Sequence, residues 1–324
     1  MKKYLICISI FIFFINEKGF ANFNNDTIIL PKETFMYSIK GKDTLYLDKY
    51  EATNNKGNIS PCMIFVFGGG FYTGARDIYY YIPYFDFLTK NGYTVVSIDY
   101  RLGFRKVDIT TPKLKAKELI NIFENTINMA VEDFFDATNF VLQHAEEWKI
   151  DPQKIVASGS SAGAITVLQG EYYISTKAEL SNRLPALFNY AGVIGFAGAV
   201  FSRNGKLKWS ENTTPVQLFH GNADKNVPYD KIKLFNIGLF GSKNIAKRLN
   251  KAKLPYYFYT VENTDHEVSG TPMHVNHEEI KSFLDKYIRQ EQPLQTTVTV
   301  NPLNKPSIKK NFKLKDYVKA NYTP

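Results

Sequence analysis

Gly159-Ser160-Ser161-Ala162-Gly163 sets a serine between two glycines, each two residues away. A turn of this kind holds its central serine in a strained backbone that lifts the hydroxyl clear of a sheet. Glycines flank it because a Cβ at either place would clash. The frame selects Ser161 as a nucleophile and leaves Ser158 and Ser160 off centre. A hydroxyl attacks poorly at neutral pH, so it needs a base, and the base needs an orienting partner. Among five histidines, His266 is the candidate base, because it lies in the loop that follows the apolar run of residues 256–261. His144 and His220 read as structural. His274 and His277 remain alternative bases, and as a metal pair they lack a firm third ligand. Phe219-His220-Gly221-Asn222-Ala223-Asp224 places Asp224 just past another apolar run, between Ser161 and His266 in the chain, as the candidate acid.

Attack on a carbonyl also needs donors for the oxyanion that forms. Gly68-Gly69-Gly70 follows the apolar run of residues 63–67, and bare glycine backbone lets N–H groups face a site with no side chain in the way. Gly69 and Gly70, with the amide of Ala162, are the candidate oxyanion hole. A phosphate loop is excluded, since no Gly-Lys-Ser/Thr follows. Phe71, Tyr72 and Tyr79-Tyr80-Tyr81 lie close enough in sequence to line a pocket, and core packing is an equal expectation for the tyrosines.

These residues have to be carried by something, and the pattern supplies it. Residues 35–40 and 44–50, separated by Gly41-Lys42-Asp43, predict a hairpin at a sheet edge. The runs 63–67, 94–98 and 154–157 are apolar on both faces, as strands covered by helices must be, and 192–196, 216–219 and 256–261 are further strands. Helices are expected at 80–89, 128–147, 164–173 and 277–289. Alternating strands and helices predict an α/β fold with a mostly parallel twisted sheet, helices on both faces, and ligands at the carboxyl ends of the strands. The stretches 106–124 and 237–250 are candidate caps over the site.

The whole chain has 324 residues, 44% hydrophobic and 22% charged, which excludes disorder and coiled coil. Its formal charge of +9 is concentrated at the ends. Lys2, Lys3 and Lys18 oppose only Glu17, and six lysines after Gln290 oppose only Glu291 and Asp316. The small remainder on the body gives no reason to expect a nucleic-acid groove. Lys2-Lys3, the apolar stretch 4–15 and Gly19-Phe20-Ala21 have the three parts of a secretion signal cut after Ala21. Secretion or residence in a periplasm is therefore expected, with no membrane span left after cleavage. The remaining chain divides into a catalytic domain at 22–289 and a basic extension at 290–324. With Cys7 in the signal, Cys62 stands alone and no internal disulfide is available.

The set resembles the α/β-hydrolase superfamily, in particular esterases and lipases with a Gly-Gly-Gly oxyanion motif. Gly68-Gly69-Gly70-Phe71-Tyr72-Thr73-Gly74 is similar to the loop of cholinesterase-type carboxylesterases, and Tyr100-Arg101-Leu102 and Gly159-Ser160-Ser161-Ala162-Gly163 suit the superfamily. The resemblance spans roughly residues 40–289. It departs at Phe67, where the hormone-sensitive-lipase branch has His, and at Ser160, where the cholinesterase type has Glu. It departs again at the acid, since that type usually has Glu where this chain has Asp224. What the resemblance implies is a compact secreted serine esterase, like those that include feruloyl and acetylxylan esterases, acting on small-molecule or carbohydrate-linked esters without cofactor or metal. A serine peptidase, a silent binding protein of the same fold, and acyl transfer to an acceptor other than water stay open, as does the oligomeric state.

Overall fold

The computed structural model describes residues 28–54, 57–107, 116–310, 312–313 and 316–317. The expected secretion signal lies outside them, as do residues 108–115 of the first candidate cap.

The expected hairpin forms from β1 (Glu33–Lys40) and β2 (Asp43–Tyr50), paired antiparallel, with Gly41 at φ +65° in its turn. Then follow β3 (Ser60–Val66), β4 (Thr94–Ile98), β5 (Ile150–Ser160), β6 (Gly192–Phe196), β8 (Val216–Gly221) and β11 (Tyr256–Val261). Their side chains are almost entirely buried, apart from residues 151–154 at the start of β5, which is the two-faced burial that their apolar runs require. With β12 (Gln295–Val300) they build a nine-stranded sheet in the order β1-β2-β4-β3-β5-β6-β8-β11-β12. Pairing is parallel from β4 to β12, and β2 alone runs against it, paired antiparallel with β1 on one side and β4 on the other.

Helices α1 (Ile82–Lys90), α2 (Ala116–Gln143) and α3 (Ala162–Thr176) cover the sheet. The second begins twelve residues earlier than the apolar period from Asn128 suggests, because Leu119, Phe123 and Ile127 continue the buried stripe that Ala130, Phe134 and Ala137 carry on. The last helical segment, α6 (His277–Phe283), continues to Arg289 as a wider turn, after the short α5 (Pro272–Val275).

The stretch 237–250 is not a cap. It forms β10 (Ile237–Gly241), which pairs with β7 (Ala199–Ser202) and β9 (Lys231–Leu234) in a small antiparallel sheet, and α4 (Ser242–Lys251), which packs on β8, β10 and β11. Ile245 and Leu249 bury themselves there while Lys243, Lys247 and Lys251 stay on the polar face, which makes α4 an ordinary cover helix. The described part of the other candidate, from Ala116 onward, is the start of α2. Residues 295–300 add β12 to the open edge of β11.

Among the described residues no helix is long and apolar enough to cross a membrane, and no group of three or more His, Cys, Asp or Glu side chains could hold a metal ion.

Candidate active site

Ser161 stands between β5 and α3 at φ 51°, ψ −113°, a backbone that non-glycine residues rarely hold. The strain persists because the surroundings fix it: Ser161 N–H donates to Phe196 O at 2.8 Å, and Ile165 N–H donates to Ser161 O at 2.9 Å. The reason for glycine at 163 is steric. A Cβ there would lie 2.0 Å from Val66 O, so α3 starts in contact with the end of β3. One at Gly159 would lie 2.4 Å from the Gly163 carbonyl. The close approach brings the amide of Ala162, on the first residue of α3, toward the glycine loop that leaves β3.

That loop closes on itself. Gly69 O accepts N–H bonds from Tyr72 and Thr73, both at 3.0 Å, with Gly69 at φ +125° and Gly70 at φ +62°. A Cβ on Gly69 would sit 2.1 Å from Thr73 O, so alanine cannot replace it without moving the loop. The residues after β4 hold the same loop from behind: Tyr100 Oη–H donates to Phe67 O at 3.0 Å. Its neighbour Arg101 is clamped to α2 by the buried Asp133, through its Nε at 2.9 Å and its backbone N–H at 2.8 Å, and by Glu132 at 2.7 Å. The Tyr-Arg pair thereby serves placement of the loop. Phe71 and Tyr81 are core residues, the Tyr80 ring packs tilted against His274 at 4.4 Å, and Tyr72 and Tyr79 remain on the surface.

Of the histidines, the structure brings His266 to the serine. Its Nε2 lies 2.8 Å from Ser161 Oγ, and its Nδ1 lies 2.7 Å from Asp224 Oδ2. His266 occupies the short helical turn His266–Ser269 after β11, and Asp224 the loop after β8, neighbouring parallel strands whose exits share one edge of the sheet. The two loops are stitched together by Asn222 N–H to Val261 O at 3.0 Å, Ala223 N–H to Thr264 O at 3.0 Å and Lys225 N–H to Asp265 Oδ1 at 2.8 Å. His274 and His277 serve elsewhere: His277 stacks on Phe87 at 4.1 Å with its Nε2 2.9 Å from Met273 O. His144 packs on Phe140 and Trp148 as a structural residue.

The acid is built to stay ionised. Asp224 is fully buried, and burial by itself would raise its pKa. Interactions with His266 and His220 outweigh that and hold the carboxyl well below its ordinary range. Its Oδ1 accepts the N–H groups of Asn226 at 2.8 Å and Val227 at 2.9 Å. For His266 burial again opposes the charged form, and Asp224 outweighs it, followed by Asp265 and Glu267, so the imidazole pKa rises above 6.5. Such an imidazole is a stronger base toward Ser161.

One residue escaped the sequence reading. His220 is buried at the end of β8 with Nε2 3.2 Å from Asp224 Oδ2 and 3.3 Å from Val227 O. Both neighbours only accept, so Nε2 carries the proton, and Nδ1 accepts from Ser242 Oγ at 2.7 Å. The signal was the spacing of four between His220 and Asp224, which a turn folds together.

Solved structures with this arrangement of strands include an esterase. The structure of Thermogutta terrifontis esterase 2 phosphonylated by cyclosarin superposes with a TM-score of 0.56 over 79% of this chain and 94% of that one, at 21% identity. The chain has the α/β-hydrolase fold. The same esterase in its propionate-bound form matches this hydrolase fold equally, at a TM-score of 0.56 over 79% of this chain and 94% of that one, with 21% identity. Residues 21–169, which carry the glycine loop and the serine turn, match the carboxylesterase family. Fumonisin B1 esterase of Sphingopyxis macrogoltabida is 33% identical over 126 residues, 38% of this chain and 22% of that protein. Esterase B1 of Culex pipiens is 26% identical over 140 residues, 42% of this chain and 23% of that protein. The matched segment thus spans under a quarter of each of these relatives.

Proposed function

We propose that this α/β-hydrolase is a serine esterase that cleaves carboxylic esters of small molecules, including ester-substituted carbohydrates. The observation that carries the reading is the unbroken hydrogen-bonded series Ser161, His266, Asp224, with the serine on a strained turn at the carboxyl edge of the sheet. The match of residues 21–169 to carboxylesterases supports it.

In the first step Ser161 Oγ attacks the ester carbonyl carbon while His266 Nε2 takes its proton. Asp224 keeps the Nδ1–H directed and stabilises the imidazolium. The backbone N–H groups of Gly69, Gly70 and Ala162 receive the developing oxyanion. Collapse expels the alcohol, which takes the proton from His266, and leaves an acyl group on Ser161. Water, deprotonated by His266, then attacks the acyl carbon, and collapse breaks the bond to Ser161 Oγ, which takes the proton back from His266 as the acid leaves. Every group needed is supplied by the chain, so the reaction runs without metal or cofactor.

We further propose that residues 1–21 direct export and are removed after Ala21, leaving Asn22 as the first residue, as their charge and apolar pattern suggest.

The test is hydrolysis of p-nitrophenyl acetate, butyrate and octanoate by the purified protein beside Ser161→Ala, with a fluorophosphonate probe to label the nucleophile. Turnover on at least one ester, lost in the variant, with the probe recovered on Ser161, is the expected result. Folded protein that cleaves no ester but does cleave a peptide p-nitroanilide would replace the esterase with a peptidase. Labelling of another serine would remove Ser161 from its role. N-terminal sequencing of exported protein decides the cleavage site, and an intact Met1 would refute it.

A further inference from the structure

We propose that Lys305, in the basic extension after β12, is a positioning residue for the base, holding the loop that carries His266 on both sides of the histidine through Thr264 and Glu267. This rests on the esterase reading, and deepens it by giving the extension a part in the reaction.

The extension reaches this place because β12 runs parallel to β11 and leaves the sheet at the same edge. From there it runs beside the loop after β11. Glu262 N–H donates to Val300 O at 2.8 Å, Asn263 Nδ2 donates to Asn301 Oδ1 at 3.4 Å, and Lys310 pairs with Glu262. Lys305 N–H donates to Pro302 O at 3.1 Å, and this turn brings the lysine to the loop. Its Nζ donates to Thr264 Oγ1 at 3.1 Å and to Glu267 Oε1 at 2.8 Å, on either side of His266 in the chain.

The two anchors differ. Thr264 is 2% exposed, and its hydroxyl donates to Glu262 O at 2.9 Å, so toward Lys305 it accepts. Its carbonyl accepts Ala223 N–H from the loop of Asp224, so the contact at Thr264 bears on the spacing of acid and base. The side chains of Lys305 and Glu267 are 37% and 40% exposed. A pair so open to water adds little to global stability. What it fixes is local, the short turn on which the imidazole sits.

The charged groups around His266 come from several elements. Asp224, with His220 behind it, comes from the loop after β8, and Asp265 and Glu267 come from the histidine's own turn. Asp265 is paired with Lys225 at 2.6 Å, and Glu267 with Lys305. Tyr80, His274 and Tyr317 are neutral: burial raises the Tyr80 hydroxyl to about 12, lowers the His274 imidazole to about 4, and together with Asp224 raises the Tyr317 hydroxyl above its ordinary range. The serine turn adds hydroxyls. Without Lys305, Glu267 faces the imidazolium uncompensated and a positive charge is gone, and both changes favour the protonated base. The acid limb of activity then moves to higher pH, while a misplaced ring slows turnover even where His266 is neutral.

The test uses Lys305→Met, Lys305→Arg, Glu267→Gln and, as a charge control in the same extension, Lys309→Met, whose lysine pairs with Asp316 at 3.1 Å. In the full chain, pH profiles of p-nitrophenyl acetate hydrolysis, corrected for the buffer rate, are read beside NMR titration of the His266 ring, amide hydrogen exchange of residues 262–268 and the melting temperature. Lys305→Met is expected to raise the acid limb and the titration midpoint by about half a pH unit and to lower kcat on the alkaline plateau about three- to tenfold. KM should change less than about twofold, exchange should quicken, and the melting temperature should stay within about 2 °C. Lys305→Arg should restore midpoint and kcat, Glu267→Gln should lower the midpoint, and Lys309→Met should change neither. An unmoved midpoint, unchanged plateau kcat or unchanged exchange in Lys305→Met, no restoration by arginine, or an equal shift in Lys309→Met would each overturn the assignment. Should Lys305→Met not fold, Glu267→Gln tests the same contact from the other side, and an unmoved midpoint there overturns it. Titration and exchange do not depend on turnover: a wild-type protein without esterase activity refutes the proposed function, and the hold of Lys305 on the His266 loop is then still decided by them.

Discussion

His220 and His266 approach the same oxygen of Asp224, at 3.2 Å and 2.7 Å, so the acid of the site serves two imidazoles, one buried and one facing the serine. The buried one is held by Ser242 and by the ring of Tyr229 and contributes a second donor to the carboxylate. Replacing it as His220→Leu, which has no donor, leaves Oδ2 to His266 alone. The imidazole of His266 should then bind its proton more tightly, moving the acid limb of the kcat/KM profile to higher pH, with kcat reduced about tenfold or more for a lost charge-assisted bond of about 1.5–3 kcal/mol. A profile unchanged in position would show that His220 is packing alone.

In the proposed reaction of the unaltered protein His266 must be neutral to take the serine proton. Asp224 raises the His266 pKa above 6.5 against the opposing effect of burial, so activity should fall as pH drops through a value above 6.5. Asp224→Asn removes the charge, should shift that limb downward, and should lower kcat by about four orders of magnitude through loss of the oriented tautomer. Rates measured from pH 5 to 9 on an ester stable over that range decide both points.

Gly69→Ala puts a Cβ 2.1 Å from Thr73 O at φ +125°. The loop has to rearrange, and with it an oxyanion donor. A fall in kcat of about 10² to 10³ is expected, with a lowered melting temperature beside it, since the loop is buried and the new Cβ meets backbone. Full activity in this variant would place the oxyanion donors elsewhere.

Glu171 on α3 is fully buried, with Oε1 accepting Thr214 N–H at 3.0 Å and Oε2 lacking a hydrogen-bond partner among the described residues. Burial pushes its pKa up to about 8, against the Thr214 bond. Between the ordinary carboxylate range and about pH 8 the unfolded chain releases this proton while the folded chain keeps it. Stability should therefore decline by about 1.4 kcal/mol per pH unit across that window from this group. Glu171→Gln keeps the acceptor and cannot ionise, so denaturant unfolding at pH 5 and pH 8 should show a shallower loss. Equal slopes in both proteins would refute the assignment.

Ending the chain at Leu294 removes β12 and uncovers β11, whose Tyr256 and Tyr259 are now buried. Tyr287 Oη also loses Thr296 at 2.7 Å. A drop in stability of about 3 kcal/mol or more, from several ladder bonds of about 1 kcal/mol each, and aggregation through the open edge are expected. A soluble truncated protein with an unshifted melting curve would make the strand dispensable.

The amino-acid sequence by itself determined the strand, turn and helix around Ser161, the glycine loop, the sheet-edge hairpin and the chain order Ser161, Asp224, His266. Each is written in a few adjacent residues: a glycine where a Cβ cannot fit, or an apolar run where both faces are covered. The tertiary structure alone decided that His266, rather than His274 or His277, faces the serine, because that choice depends on β11 lying beside β8 so that both loops leave one edge. It likewise gave His220 a place at Asp224, joined Ser160 to Ser269 across widely separated chain positions, made α4 a cover helix instead of a cap, and drew residues 295–300 into the sheet. The short strands β7, β9 and β10 carry only four or five residues each, too few for a period to stand out. Pairing, burial and hydrogen bonding between distant segments are properties of the closed core, and no local pattern encodes which distant partner arrives.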